Sequence, residues 1–282
     1  MNAIDRRQGG GAQSVARAAC ILQAVGRAGN AQFSGLARDT HLPNPTLRRL
    51  LISLIDAGLV DQDPATGHYR LGSQAYVLGQ LAGRHFRFHD LARDGLCRLA
   101  KVSGDSAFLS AFEGLSTVCL HREEGRFPIR THVLNVGDRH PLGMGAAGLA
   151  ILAALPEVTA AKMLAVNKGA IAHARPDLDP AQLETLVAQA RSTGVALNPG
   201  LVFPGSWAIA AAVRAPSGEI VGAVTIAAIE QRMTAERQDS LSAPLLDEVR
   251  RLEYLMAELG PDMMMTQATL ATVKQTLKGD TP

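Results

Sequence analysis

A chain of 282 residues with 47% hydrophobic content has the apolar mass for one large or two medium domains with real cores, which excludes a disordered chain. Its longest apolar runs, such as "GLAILAALP", are too short to span a bilayer, and the leader "MNAIDRRQGGGAQS" has no apolar segment behind its arginines, which excludes a secretory signal. The net charge of +2 hides an asymmetry: residues 1–100 hold 12 Arg and 7 Asp with neither Lys nor Glu, so they carry +5 and the remainder −3.

The first element is a helix from Ser14 to Ala28, "SVARAACILQAVGRA", with apolar residues at helical spacing, Ser14 as its N-cap and Gly29-Asn30 closing it. A short second helix follows in "FSGLARDTHLP", capped by Ser34 and stopped before Pro43. In the third, "NPTLRRLLISLIDAG", Asn44 caps, Pro45 takes the first helical position and Gly58 terminates. Leu47, Leu50, Leu51, Leu54 and Ile55 fall on one stripe, so Arg49 points nearly opposite it while Arg48 and Thr46 flank it. The next stretch, "LVDQDPATGHYRLG", reads as a β-hairpin with Ala65-Thr66-Gly67 near the tip. Three short helices and a two-stranded wing make a winged helix-turn-helix, whose third helix enters the major groove of DNA by its N-terminal residues.

From Ser73 to about Lys101 the pattern is helical with weak points at Gly79 and Gly83, a linker helix leading into a second domain. The neighbours Phe86, Phe88, His85 and His89 suit a domain or dimer contact, or a ligand site. In the second domain "SAFLSAFE" and "LSTVCLHREE" read as paired strands and "IRTHVLNVGDRHPLG" as a third with its exit. "MGAAGLAILAAL" is an apolar helix with a small-residue start, and "PAQLETLVAQARSTG" is an amphipathic helix capped by Asp179. A hairpin turning at Pro216-Ser217-Gly218 and a final helix in "SLSAPLLDEVRRLEYLMAELG" complete an α+β domain with a largely antiparallel sheet. The residues after Gly260 read as either an extra helix or a disordered tail.

Three cysteines, Cys20, Cys97 and Cys119, have no CxxC spacing and read as buried, reduced thiols of a cytoplasmic protein. His121, His132, His140 and His173 show no metal-like spacing, there is no GxSxG, and "GMGAAG" departs from GxGxxG at its third glycine. Neither an enzyme nor a bound cofactor is expected.

In order and spacing these pieces resemble the IclR-type bacterial transcription regulators. The resemblance runs from about Ser14 to Leu259 through "SVARAACIL", "GLARDTHLPNPTLRRLLISLIDAGLV", "GHYRLG", "GDRHPLGMGAAGLAILAALP" and "GSWAIAAAVRAPSGEIVGAVTIAA". It implies a leader (1–12), a winged helix-turn-helix DNA-binding domain (13–73), a linker helix (74–95), a GAF-like effector-binding domain (96–260) and a tail (261–282). It also implies a homodimer that pairs into a dimer of dimers, and control of a catabolic operon, as repressor or activator, by a small organic and possibly aromatic acid. The chain departs from the family pattern at Leu149, where a lysine is usual, and in "GVALNPGLVFPGSW", which lacks the usual acidic run. The polarity of the effector pocket is expected to differ accordingly.

For DNA the reading selects Asn44, Thr46, Arg48 and Arg49 at the major groove, Ser14 and Arg17 at a phosphate, Ser34 at the second helix, and His68 on the wing, with Tyr69 packing under the hairpin. For the effector, the small side chains of "GMGAAG" suit either close helix–sheet packing or a carboxylate reaching free N–H groups, and the resemblance implies binding at Gly145, Ala146 and Ala147. The resemblance adds Asn198, Ser206, Trp207 and Thr225 as pocket positions. Arg130 and His132, on the preceding strand, are candidates for positive charge or for a structural surface role, and Trp207 suits either stacking on an aromatic ligand or packing in the core. The rival to a DNA-binding regulator is a ligand-sensing module whose first domain binds a protein.

Overall fold

The computed structural model describes residues 10–83, 87–129 and 134–258, which fall into two compact units divided between residues 84 and 85.

The first unit contains α1 (Gly10–Ala28), α2 (Phe33–Thr40), α3 (Asn44–Asp56), β1 (Val60–Gln62), β2 (Tyr69–Leu71) and α4 (Ser73–Gly83). Its core is the leucine stripe of α3, with Leu47, Leu50, Leu51 and Leu54 packed on Ile21 and Val25 of α1, Leu36 of α2 and Val60 of β1. Gly58 ends α3 at a φ of +67°, a backbone state that costs glycine little and other residues more. Strands β1 and β2 pair antiparallel from Val60↔Leu71 to Gln62↔Tyr69. At the tip the Asp63 carboxylate accepts the N–H groups of Ala65 and Thr66. Tyr69 packs against the core and bridges back to Ala31.

Three expected caps shift. Ser14 lies inside α1, which propagates a turn further upstream through Ala12 and Gln13, residues that do not oppose helix. Ser34 is the second residue of α2, behind Gln32 at the cap, and Asn44 is the first residue of α3, behind Pro43. The chain turns helical at Phe33, one residue before Ser34, and at Asn44 itself, so neither polar side chain occupies the cap position.

The second unit is built on a six-stranded antiparallel sheet of order β5-β4-β3-β8-β7-β6. Its elements are α5 (Arg87–Ser103), β3 (Ser106–Glu113), β4 (Ser116–Glu123), β5 (Arg139–Pro141), α6 (Gly145–Ala154), α7 (Glu157–Ala174), α8 (Pro180–Thr193), β6 (Ala196–Pro199), β7 (Ser206–Arg214), β8 (Ile220–Ile229), a 3-10 turn at Glu230–Arg232 and α9 (Ala235–Glu258). Alternation sorts the sheet into two faces. Phe108, Phe112, Ala208, Ala210, Ala223 and Ala227 join α6, α7 and α8 in one core, while Leu109, Ile209, Val213, Val224 and Ile226 join α5 and α9 in the other. Leu149, fully buried in the first core, explains why a long charged side chain is unwelcome at that position here.

The strand expected with its exit in 129–143 is confined, among described residues, to Arg139–Pro141, because 134–138 turn before the chain pairs with β4. Phe88 is a core residue of the second unit, lying under α5 against Gly222, and not part of a ligand site; Phe86 and His85 lie outside the described residues, as does everything after Glu258. Of the cysteines Cys119 is buried, Cys20 half-buried and Cys97 exposed, which corrects the expectation for Cys97. Burial pushes the Cys119 thiol up to about 12, so it is no nucleophile at neutral pH. No helix among the described residues is long and apolar enough to cross a membrane.

Candidate functional site

The start of α3 is the most clearly built polar surface of the first unit. With the leucines turned inward, Asn44, Arg48 and Arg49 are exposed and Thr46 is half-buried, and the first turn carries no acidic residue. Arg48 lies over the ring of Phe33, the first residue of α2, with 5.4 Å from guanidinium carbon to ring centre. Beside it Ser34 is exposed. On the wing His68 is half-buried, its Nδ1 enclosed without a hydrogen-bond partner. Ser14 and Arg17 are half-buried on α1, where Ser14 occupies the second turn and not the N-terminus. The expectation that Ser14 meets a phosphate at a helix start therefore loses its geometric basis. Rigid helices presenting guanidinium and amide groups suit phosphates and base edges together.

The second unit holds a cavity of about 60 Å³ between the sheet and the start of α6. Six expected residues line it: Gly145, Ala146, Ala147, Asn198, Ser206 and Thr225. The peptide before α6 needs glycine, with Gly143 at φ +99° and Gly145 at +71°. No side chain caps α6, so its first N–H groups lack partners from their own helix and leave a positive end at the cavity. Asn198 is fixed by accepting the Leu201 N–H at 2.7 Å. The Thr225 Oγ1 is buried with no hydrogen-bond partner. Such a group costs stability unless something satisfies it.

Trp207 does not line the cavity. Adjacent residues on a strand face opposite sides, so Ser206 turns to the cavity and Trp207 packs on the α5–α9 side of the sheet. Arg130 and His132 lie outside the described residues. Three polar lining residues were not anticipated: Ser110, Thr117 and His140. Parity would have found Ser110, which shares a face with Phe108 and Phe112; Thr117 and His140 arrive by long-range pairing across β4 and β5. Burial lowers the His140 pKa, partly offset by the Asp138 carboxylate, so the ring is neutral at pH 7. The described lining thus offers hydroxyls, an amide, an imidazole and a helix start, with no Lys, Arg, Asp or Glu.

A much larger groove of about 870 Å³ runs between α7 and α8, and none of the expected effector residues lines it. Small-molecule sites combine apolar walls with a few polar groups, and the smaller cavity gathers hydroxyls, an amide and an imidazole beside a helix start.

Residues 84–254 match the family model described as "Bacterial transcriptional regulator IclR C-terminal", and residues 14–64 match "IclR helix-turn-helix domain". The chain is 26% identical over 248 residues, 88% of each chain, to the HTH-type transcriptional regulator BhcR of Paracoccus denitrificans. It is 28% identical over 255 residues to the glycerol operon regulatory protein of Streptomyces griseus, covering 89% of this chain and 96% of that one. Among solved structures, an IclR transcriptional regulator from Silicibacter sp. TM1040 superposes with a TM-score of 0.66 at 25% identity, covering 90% of this chain and all of that one.

Proposed function

Because the chain belongs to the IclR family of bacterial transcriptional regulators, we propose that residues 13–73 grip double-stranded operator DNA, that residues 96–260 bind a small organic acid, and that residues 74–95 couple the two. The observation that carries the DNA half is the exposure of Arg48 and Arg49 opposite a buried leucine stripe, at the start of the third helix of a winged helix-turn-helix. The helix backbone sets the register, Asn44 and Arg49 face base edges, and Arg48 lies toward the phosphates.

The ligand class follows from the cavity. Its accessible volume is small, about 60 Å³. That suits an oxo or hydroxy acid of about two to four carbons, its carboxylate at the N–H groups of Gly145, Ala146 and Ala147. The remaining oxygens fall to Ser110, Asn198, Ser206 and Thr225. An aromatic acid would require Leu134 and Val202 to move aside.

A homodimer fits the surface of α4, which buries none of its residues and exposes Tyr76, Val77, Leu78 and Leu81. A second copy covering that helix removes the patch from water, and pairing of dimers doubles the contacts to DNA. The acid acts by preferring one arrangement of the paired units; equal affinity for both would change nothing.

A thermal-shift screen of short oxo, hydroxy and aromatic acids, followed by anisotropy titration of the upstream duplex with and without each hit, tests this reading. The effector raises the melting temperature with RT ln(1 + [L]/Kd) and changes duplex affinity. Duplex affinity that is independent of salt overturns the DNA half and leaves the first unit as a protein-docking module.

A further inference from the structure

A histidine pair outside both sites has no role in the function above. His89, in the first turn of α5, and His121, near the end of β4, are 32 residues apart in sequence, yet His89 Nε2 lies 3.2 Å from His121 Nδ1. Their rings meet edge to face with centres 5.1 Å apart. Each ring turns its other nitrogen to a carboxylate: His89 Nδ1 is 3.1 Å from Asp90 Oδ1, and His121 Nε2 is 3.5 Å from Glu123 Oε2.

The inventory of protons makes this arrangement informative. An ionised carboxylate only accepts, so the nitrogen facing it must carry the hydrogen. In neutral imidazoles that places both protons on the outer nitrogens and sets the two inner lone pairs against each other. The alternative, with His121 Nδ1–H donating to His89, turns a bare Nε2 lone pair toward Glu123, although that Nε2 is buried and has no other hydrogen-bond partner. Either way the pair of rings is short of one positive centre. The charges nearest it are Asp90 and Glu123 against Arg93, which leaves the surroundings net negative.

We propose that a divalent transition-metal ion of the zinc, nickel or copper class binds between His89 Nε2 and His121 Nδ1. Metal–nitrogen bonds of about 2.0–2.1 Å spanning the observed 3.2 Å subtend roughly 100–105° at the metal, between the octahedral and tetrahedral angles. Carboxylates on the outer nitrogens of metal-bound histidines fix the tautomer and raise basicity, the roles Asp90 and Glu123 take here. Among the described residues no third His, Cys, Asp or Glu completes a ligand group, so water fills the other positions. Two imidazoles and water select zinc, nickel or copper over magnesium or calcium. The ion staples the first turn of α5 to β4.

The test uses the full-length chain without a histidine tag, stripped with EDTA and titrated calorimetrically with ZnCl2, NiCl2 and, as control, MgCl2. Zinc or nickel binds at one ion per chain in the micromolar range, magnesium does not, and His89→Asn and His121→Asn each weaken binding at least tenfold. Unchanged affinity in the double variant overturns the proposal. So does a wild type that takes up no zinc because the two rings share a proton only. A zinc-edge anomalous map of wild-type crystals decides independently should the variants fail to fold: a peak between the two nitrogens supports the site, and its absence sinks it.

Discussion

The Arg48 guanidinium is seated on the Phe33 ring, 5.4 Å from its centre, so one of the two adjacent arginines on α3 is steadied by α2. An exposed cation–π contact of this kind contributes about 0.5–1 kcal/mol. Phe33→Leu should therefore weaken operator binding by only about two- to fivefold. Arg49→Ala should cost about 1–3 kcal/mol, with discrimination relaxed at one operator position, if the proposed base contact is made. Anisotropy titrations against the operator and single-base variants separate the two. A uniform loss across all sequences for Arg49→Ala, with a salt slope smaller by about one, would reassign that side chain to a phosphate.

Thr225 supplies a second test. Its Oγ1 is buried, with no hydrogen-bond partner among the described residues, so Thr225→Val keeps the shape and removes a hydroxyl that none of them satisfies. Stability in urea should hold or rise by up to about 1 kcal/mol. Affinity for the acid should nonetheless fall by roughly 2–10-fold, the loss expected for a hydrogen bond to a neutral oxo or hydroxyl oxygen. Equal losses of stability and ligand affinity would mean that Thr225 serves packing alone.

The features legible in the sequence are those written in local periodicity. The leucine stripe of α3 needed only a spacing of three and four residues, and the β7–β8 turn announced itself by Pro216, Ser217 and Gly218. Helix α7 was passed over because its buried stripe reads Ala160, Met163, Asn167 and Ile171, with a small residue and an amide where large apolar ones would have shown the period. Asn167 is there to donate to the carbonyls of Leu115 and Leu142, a long-range duty with no local signature. Strand β6 hid for a related reason, since Asn198 and Pro199 are poor strand formers tolerated at a sheet edge. Six of the nine expected effector residues line one cavity, whereas Trp207 takes its core-packing alternative because the two-residue period turns it to the other face. Thr117, His140 and the His89–His121 pair depend on which strands and helices become neighbours, which spacing alone does not encode.

His140 gives a pH dependence of fixed sign. Burial lowers its pKa in the folded chain, so the unfolded chain binds the proton more readily. The stability from keeping the ring neutral is fully present above the unfolded value of about 6.5 and is lost as pH falls below it toward the folded pKa. Urea titrations of wild type and His140→Asn from pH 8 to 5 should show the wild type losing ground relative to the variant on the acid side. A difference that stays flat across that range would show that burial does not hold His140 neutral.

Asp105 sets the last expectation, which concerns the frame around the sensing unit. Its side chain is 2% exposed and binds two arginines at once, Arg232 Nε at 2.9 Å from the 3-10 turn before α9 and Arg237 Nη2 at 2.8 Å from the first turn of α9. Arg237 also donates to the Ser103 carbonyl, and Arg232 stacks 3.8 Å from the Phe127 ring centre. Removing one partner of a buried pair costs about 3–5 kcal/mol, but both arginines are a quarter exposed or more and can regain water. Asp105→Ala should therefore lose about 2–3 kcal/mol in chemical denaturation. Because the contacts tie the start of α9 to the start of β3, hydrogen exchange should rise first at Ala235–Ser240, ahead of the cavity strands. Protection that falls uniformly through the second unit would show that the two arginines hold no separable element in place.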